Sequence, residues 1–151
     1  MAIAIPESMK SELAAWNNGR GIDLDSWVGC EGRFALAVGY SAIFWPEFVA
    51  FERYVLRKGF GEAGLRSFER NADCTRQAIE WAMNHLHIMD IQHQDCEDIA
   101  IDKIVHLGKT LSEIYEAKLR WQFPDRRFVV DFHTPADEED LRGYQLSFWQ
   151  E

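Results

Sequence analysis

A chain of 151 residues with 47% hydrophobic and 27% charged side chains has the size and apolar content of one self-sufficient domain, which excludes a disordered chain and a scaffold that needs staples. Its net charge of −9 and pI near 5.0 exclude the basic footprint of a nucleic-acid binder. Three cysteines, Cys30, Cys74 and Cys96, without CxxC spacing, exclude a disulfide framework and are expected as reduced, mostly buried thiols.

Residues 1–6 have neither the basic nor the apolar stretch of a signal peptide. The longest mostly apolar run, Phe34 to Phe51, is interrupted by Gly39, Ser41, Pro46 and Glu47, which argues against a membrane span. The expectation is one cytoplasmic domain over 1–151. Its negative charge is uneven, net −2 over residues 1–75 and net −7 over 76–151.

Pro6-Glu7 opens a first helix with Met9, Leu13 and Trp16 on one face, and Asn17-Asn18-Gly19 ends it by offering left-handed positions. Asp25 is placed to cap a short turn that holds Trp27. From Phe34 to Trp45 two periods compete. Phe34, Leu36, Val38, Tyr40 and Phe44 alternate as in a strand, while Phe34, Val38, Ser41 and Trp45 form a helical stripe. Length favours a buried helix, and Pro46 breaks it. Phe48 to Arg57 is aromatic and β-branched, so it reads as strand, with Glu52-Arg53 as a turn that lacks the usual Gly or Asn. Lys58 to Gly64 reads as a loop and Leu65 to Glu69 as one helical turn.

Thr75 caps a helix from Arg76 to about His87, with Ile79, Met83 and Leu86 as its stripe. Asp90 to Asp98 reads as a polar loop. The strongest periodicity runs from Asp102 to Gln122 through Ile104, Leu107, Leu111, Ile114, Tyr115 and Leu119. Lys109 with Glu113 and Glu116 with Arg120 are spaced to pair along it. Pro124-Asp125 stops it. Arg127 to His133 and Gly143 to Gln150 alternate as two closing strands, and Asp137-Glu138-Glu139-Asp140 between them must be an exposed acidic loop. The fold class is α+β, an antiparallel sheet with a C-terminal hairpin packed against several helices.

No complete catalytic or cofactor motif is present, and no catalytic residue and no cofactor are assigned. The best metal candidates are His85 and His87, with His93 and Cys96 beyond them. A His-x-His pair faces one side only in a strand, however, and this pair is expected at a helix C-terminus, where His complements the dipole. Ser41 lacks the second glycine of a nucleophile elbow, and Cys96 near His93 is a pairing of sequence neighbours alone. Most aromatics are expected in the core. Trp149 faces away from Leu146 and Phe148, so it lies on a second buried face or is exposed.

Three blocks carry a resemblance: Phe44-Trp45-Pro46-Glu47-Phe48-Val49, Asn84-His85-Leu86-His87 and Tyr144-Gln145-Leu146-Ser147-Phe148-Trp149. In these the chain resembles a group of small uncharacterised bacterial proteins, for which no activity carries over. In size, acidity and Trp content it is also similar to immunity proteins, which neutralise secreted bacterial toxins. That second resemblance implies a non-enzymatic protein that binds a toxin domain, with a basic nuclease as one such target. Asp95, Glu97, Asp98, Asp102, Asp137, Glu138, Glu139, Asp140 and Trp149 are its candidate contacts. Two other classes stay open. One is a metal-assisted hydrolase built on His85, His87 and His93 or Cys96. The other is a structural homo-oligomer joined through the last strand at a sheet edge.

Overall fold

The computed structural model describes residues 4–93 and 95–151. Helix α1 (Glu7–Gly19) follows Pro6 and unwinds as its sequence predicts. Asn17 and Asn18 take φ of 53° and 57°, and the Asn17 amide donates to the Gly21 carbonyl at 2.9 Å. Helix α2 (Leu24–Glu31) is capped by Asp23, whose Oδ1 accepts from the Ser26 N–H at 2.8 Å. Asp25, expected as the cap, lies in the first turn instead. The competition between Phe34 and Trp45 resolves as helix α3 (Phe34–Phe44), but the expected burial is wrong, since no residue of α3 is buried.

Strands β1 (Phe48–Phe51) and β2 (Tyr54–Arg57) form an antiparallel hairpin that turns at Glu52-Arg53. Glu52 takes a left-handed φ of 53°. Its carboxylate is gripped by both terminal nitrogens of Arg66, at 2.6 and 3.0 Å. A bidentate ion pair thus holds a turn for which glycine is the usual solution. Arg66 sits on α4 (Glu62–Glu69), which begins three residues earlier than its pattern suggested.

Thr75 caps α5 (Arg76–Met83) through the Ala78 N–H. The helix stops at Met83, not near His87, and Leu86–His87 is a short strand, β3. The reason is Asn84, whose side chain is fully occupied elsewhere. Its amide donates to the carbonyls of Val55 and Phe148, and its Oδ1 accepts from the Arg57 N–H. A 3-10 turn (Ile88–Ile91) leads on to the long helix α6 (Ile101–Gln122). Neither expected ion pair forms along α6; the pair at its start joins Lys103 to Asp98.

Strands β4 (Phe128–His133) and β5 (Gln145–Gln150) make the expected C-terminal hairpin, with Val130 opposite Phe148 and Phe132 opposite Leu146. The sheet order is β3-β5-β4. The last strand is therefore central, which removes the edge on which a strand-joined oligomer depended. Trp149 is half-buried opposite Val129, on the β5 face whose Ser147 hydroxyl donates to the Trp81 carbonyl of α5. The α+β class holds, with two small antiparallel sheets in place of one.

The larger core packs Ile104, Leu111, Tyr115 and Leu119 of α6 on Phe48, Val55, Leu146 and Phe148. A smaller one gathers Tyr54, Leu56, Leu65 and Ile79 between β2, α4 and α5. Between them lies Glu80, fully buried. Its Oε1 accepts from the Val55 N–H and the Gln150 side-chain amide, and its Oε2 from the Gln150 N–H. Glu80 of α5 and Asn84 at its C-cap, four residues apart, thus join the backbone of β2 to that of β5. Side chains take the place of a ladder between the sheets.

Candidate functional site

The departure from sequence expectation is largest at α2 and α3. A helix that is apolar all round is normally buried. Helix α3 (FALAVGYSAIF) has no charged residue, yet Phe34 is 94% and Val38 71% exposed. These two lie four residues apart on one face. The same stripe reaches Trp45, 49% exposed, whose ring lies 6.2 Å from that of Trp121, 70% exposed, at the end of α6. The Lys118 ammonium caps this end, 4.8 Å from the Trp45 ring and 4.7 Å from the Trp121 ring. An exposed apolar ridge thus follows α3 toward the end of α6, far more than the scattered apolar residues of an ordinary surface.

Behind the ridge is a cleft of about 680 Å³. Trp27 and Val28 of α2 and Phe34, Leu36 and Tyr40 of α3 form one wall. Ile88, Met89 and Ile91 of the 3-10 turn, with Ile99, Ile104 and Leu107, form the other. This size and lining are those of a binding cleft. The charged side chains that line it balance, Glu31 and Asp98 against Arg33 and Lys103, while the segments that contribute the lining are acidic as a whole. Segment 23–45 carries three acidic residues and one basic, and segment 88–107 carries five and one. Together they hold net −6 of the chain's −9. The even reading of charge by halves hid this, because the two walls come from different halves.

One end of the cleft is polar. The Cys96 thiol donates to Asp98 Oδ1 at 2.6 Å, and Lys103 Nζ donates to the Asp98 carbonyl at 2.8 Å. The bond to Asp98 pushes the thiol pKa up and, with Lys103, holds the Asp98 carboxyl below its usual range. Burial raises the Tyr40 phenol, and the neighbouring Cys96 and Asp98 add to it. Cys96 is therefore held as a thiol, the opposite of an activated nucleophile. The bond to its neighbour His93 among the described residues is a backbone one, the Cys96 N–H donating to the His93 carbonyl. The cysteines are unpaired, but the expected burial fails: Cys30 is exposed, and Cys74 and Cys96 are half-buried.

His85 and His87 do come together, their rings 5.1 Å apart and nearly perpendicular. The helix expected there gives way to a strand, which corrects the reason for separating them. Each Nδ1 lies against a backbone carbonyl, Ala82 for His85 and Arg142 for His87. Among the described residues, no group of three or more His, Cys, Asp and Glu side chains is gathered to hold a metal ion.

The other candidate contacts lie apart from one another. Asp95, Glu97 and Asp98 are in the loop beside the cleft. Asp102, in the first turn of α6, accepts from both the N–H and the hydroxyl of Ser8, each at 2.8 Å, and so anchors α1. Asp137 to Asp140 form an exposed turn between β4 and β5. The Tyr144 hydroxyl beneath it donates to the Glu138 carbonyl. No described helix is long and apolar enough to cross a membrane. Compared with family models, curated proteins and solved structures, the chain matches none.

Proposed function

We propose that this chain is a protein-binding module that acts without catalysis, in the manner of an immunity protein that neutralises a toxin domain by direct contact. The observation that carries this reading is the ridge of α3, with Phe34 and Val38 bare to solvent on a helix that has no polar face. Leaving such a surface wet forgoes roughly 25 cal/mol for every Å² that a partner would cover. This moves the centre of the proposed interface from the acidic loop at Asp137–Asp140 to the α2–α3 cleft. The chain's net charge of −9 adds long-range steering toward a basic partner. The alternative of a metal-assisted hydrolase on His85 and His87 has no third ligand in reach among the described residues.

Affinity capture from a native lysate tests the reading, with the wild-type chain and a Phe34→Asp/Val38→Asp variant compared side by side. A stoichiometric partner held by the first and lost by the second is expected. Equal capture by both would remove the ridge from the function.

A further inference from the structure

We infer that His85 and His87 form a surface zinc site, which binds the ion through the Nε2 nitrogens of both rings and leaves its other positions to water or to a group from outside. This goes beyond the protein-binding reading and does not depend on it.

Backbone placement argues first. Leu86 packs against the larger core and lies opposite Leu146 of β5. Successive side chains of an extended segment point to opposite sides. His85 and His87, on either side of Leu86, therefore both turn away from that core. His85 is exposed and His87 half-buried. The end of α5 at Met83 makes this possible, because side chains two residues apart on a helix do not face each other.

Protonation argues second. The His85 Nδ1 lies 2.6 Å from the Ala82 carbonyl oxygen, and the His87 Nδ1 lies 2.7 Å from that of Arg142. A carbonyl oxygen only accepts, so each Nδ1 carries the proton. In the neutral ring the Nε2 lone pair is then free to bind a metal. Zinc-binding histidines are held in the same way, with the second ring nitrogen donating to a carbonyl that fixes both tautomer and orientation. Neither Nε2 has a hydrogen-bond partner among the described residues.

Spacing argues third. Two imidazoles bound at about 2.1 Å, a tetrahedral angle apart, have ring centres about 5.2 Å from each other. The right angle of a square-planar copper(II) or nickel(II) site would bring them to about 4.5 Å. The rings of His85 and His87 stand 5.1 Å apart, the separation of the tetrahedral ion that zinc prefers. Among the described residues no third ligand joins them. The site is therefore an open chelate that exchanges its ion, unlike the closed four-ligand cage of a structural zinc.

The test is calorimetric titration of zinc chloride into the full chain after treatment with a chelator. Binding of one zinc per chain is expected. Its affinity should fall at least about tenfold in His85→Ala and in His87→Ala, since either change breaks the chelate. His93→Ala and Cys96→Ser should bind as wild type does. His85 is exposed, so its replacement leaves the fold in place, which circular dichroism checks. Long-range proton–nitrogen NMR spectra of the imidazoles give a second readout. Both rings should carry the proton on Nδ1 before zinc is added, and zinc should shift Nε2 of both. A proton on Nε2 of either neutral ring would overturn the inference. So would the absence of zinc binding, which would leave the pair as an edge-to-face ring contact. Zinc binding unchanged by His85→Ala would put the ion elsewhere and overturn it too.

Discussion

Glu80 holds Gln150 twice, accepting from its backbone N–H on one carboxylate oxygen and from its side-chain amide on the other. The oxygen that takes the amide also takes the Val55 N–H of the other sheet, at 2.8 Å. The carboxylate is fully buried, no ion pair reaches it among the described residues, and three donors satisfy it. Removing it strands those donors where water cannot reach them. Glu80→Ala is expected to cost about 3–5 kcal/mol. Glu80→Gln keeps one acceptor oxygen but aims an amide N–H at a donor, so its cost should be intermediate. Urea denaturation of the three proteins checks the order; an alanine variant within about 0.5 kcal/mol of wild type would contradict it.

The start of α1 is tied to α6 by Asp102. The Ser8 N–H and hydroxyl hold the Asp102 carboxyl below its usual range. A carboxyl whose folded pKa is lowered adds stability above its unfolded value, about 3.9. That stability is lost as pH falls through the lowered folded value. Ser8→Ala should therefore be less stable than wild type at pH 7, by about 0.5–1.5 kcal/mol for one hydrogen bond. The gap should begin to close below about pH 4 and vanish once the pH is under the lowered folded value. Paired urea titrations across that window read it directly, and a gap that persists in acid would assign the loss to something other than Asp102.

Gly108 is buried in the middle of α6, where alanine would ordinarily gain about 1 kcal/mol in helix propensity. Here a Cβ would lie 2.1 Å from Cε2 of Phe132 and 2.2 Å from its Cζ. The Phe132 ring is backed by Tyr144, their centroids 6.4 Å apart, so it cannot swing away freely. Overpacking costs about 1–3 kcal/mol and outweighs the propensity. Gly108→Ala should destabilise the wild-type background and become neutral or stabilising in Phe132→Ala. A double-mutant cycle by thermal melting measures the coupling.

The ridge predicts the opposite pattern. Phe34→Ser and Val38→Ser remove side chains that touch little of the body, so stability should stay within about 0.5 kcal/mol. Binding of a hydrophobic dye such as ANS should fall sharply, because the exposed patch is gone. A large loss of stability would mean that α3 packs more tightly than its exposure indicates.

Much of the fold was legible because its signals are local. The left-handed stop at Asn17-Asn18, the Thr75 cap and the α6 stripe each need only a few neighbouring residues. The alternation of the final strands also survived, since Val130 and Phe148 share the face that meets α6. What escaped depends on residues distant in sequence. Asn84 ends α5 early because Val55, Arg57 and Phe148 recruit its side chain, and no pattern within 76–87 carries that information. The central place of β5 depends likewise on β3, two residues long. At the site, the stripe of Phe34, Val38 and Trp45 was visible, but its burial was inferred from hydrophobicity alone. The better clue was the complete lack of a polar face on a helix next to acidic segments.

The junction made by Glu80 and Asn84 bears on how the chain resists aggregation. Strand edges with open backbone groups are templates on which other chains can add and grow into aggregates. The inward edge of β2 and the outer half of β5 would be such templates. Instead, the Val55 N–H and carbonyl, the Arg57 N–H, the Phe148 carbonyl and the Gln150 N–H are all engaged by the side chains of Glu80 on α5 and Asn84 at its C-cap. A carboxylate and an amide end the hydrogen-bonding series there, so the facing edges of β2 and β5 offer no template, and strand addition is left only to the outer edges such as β1 and β4.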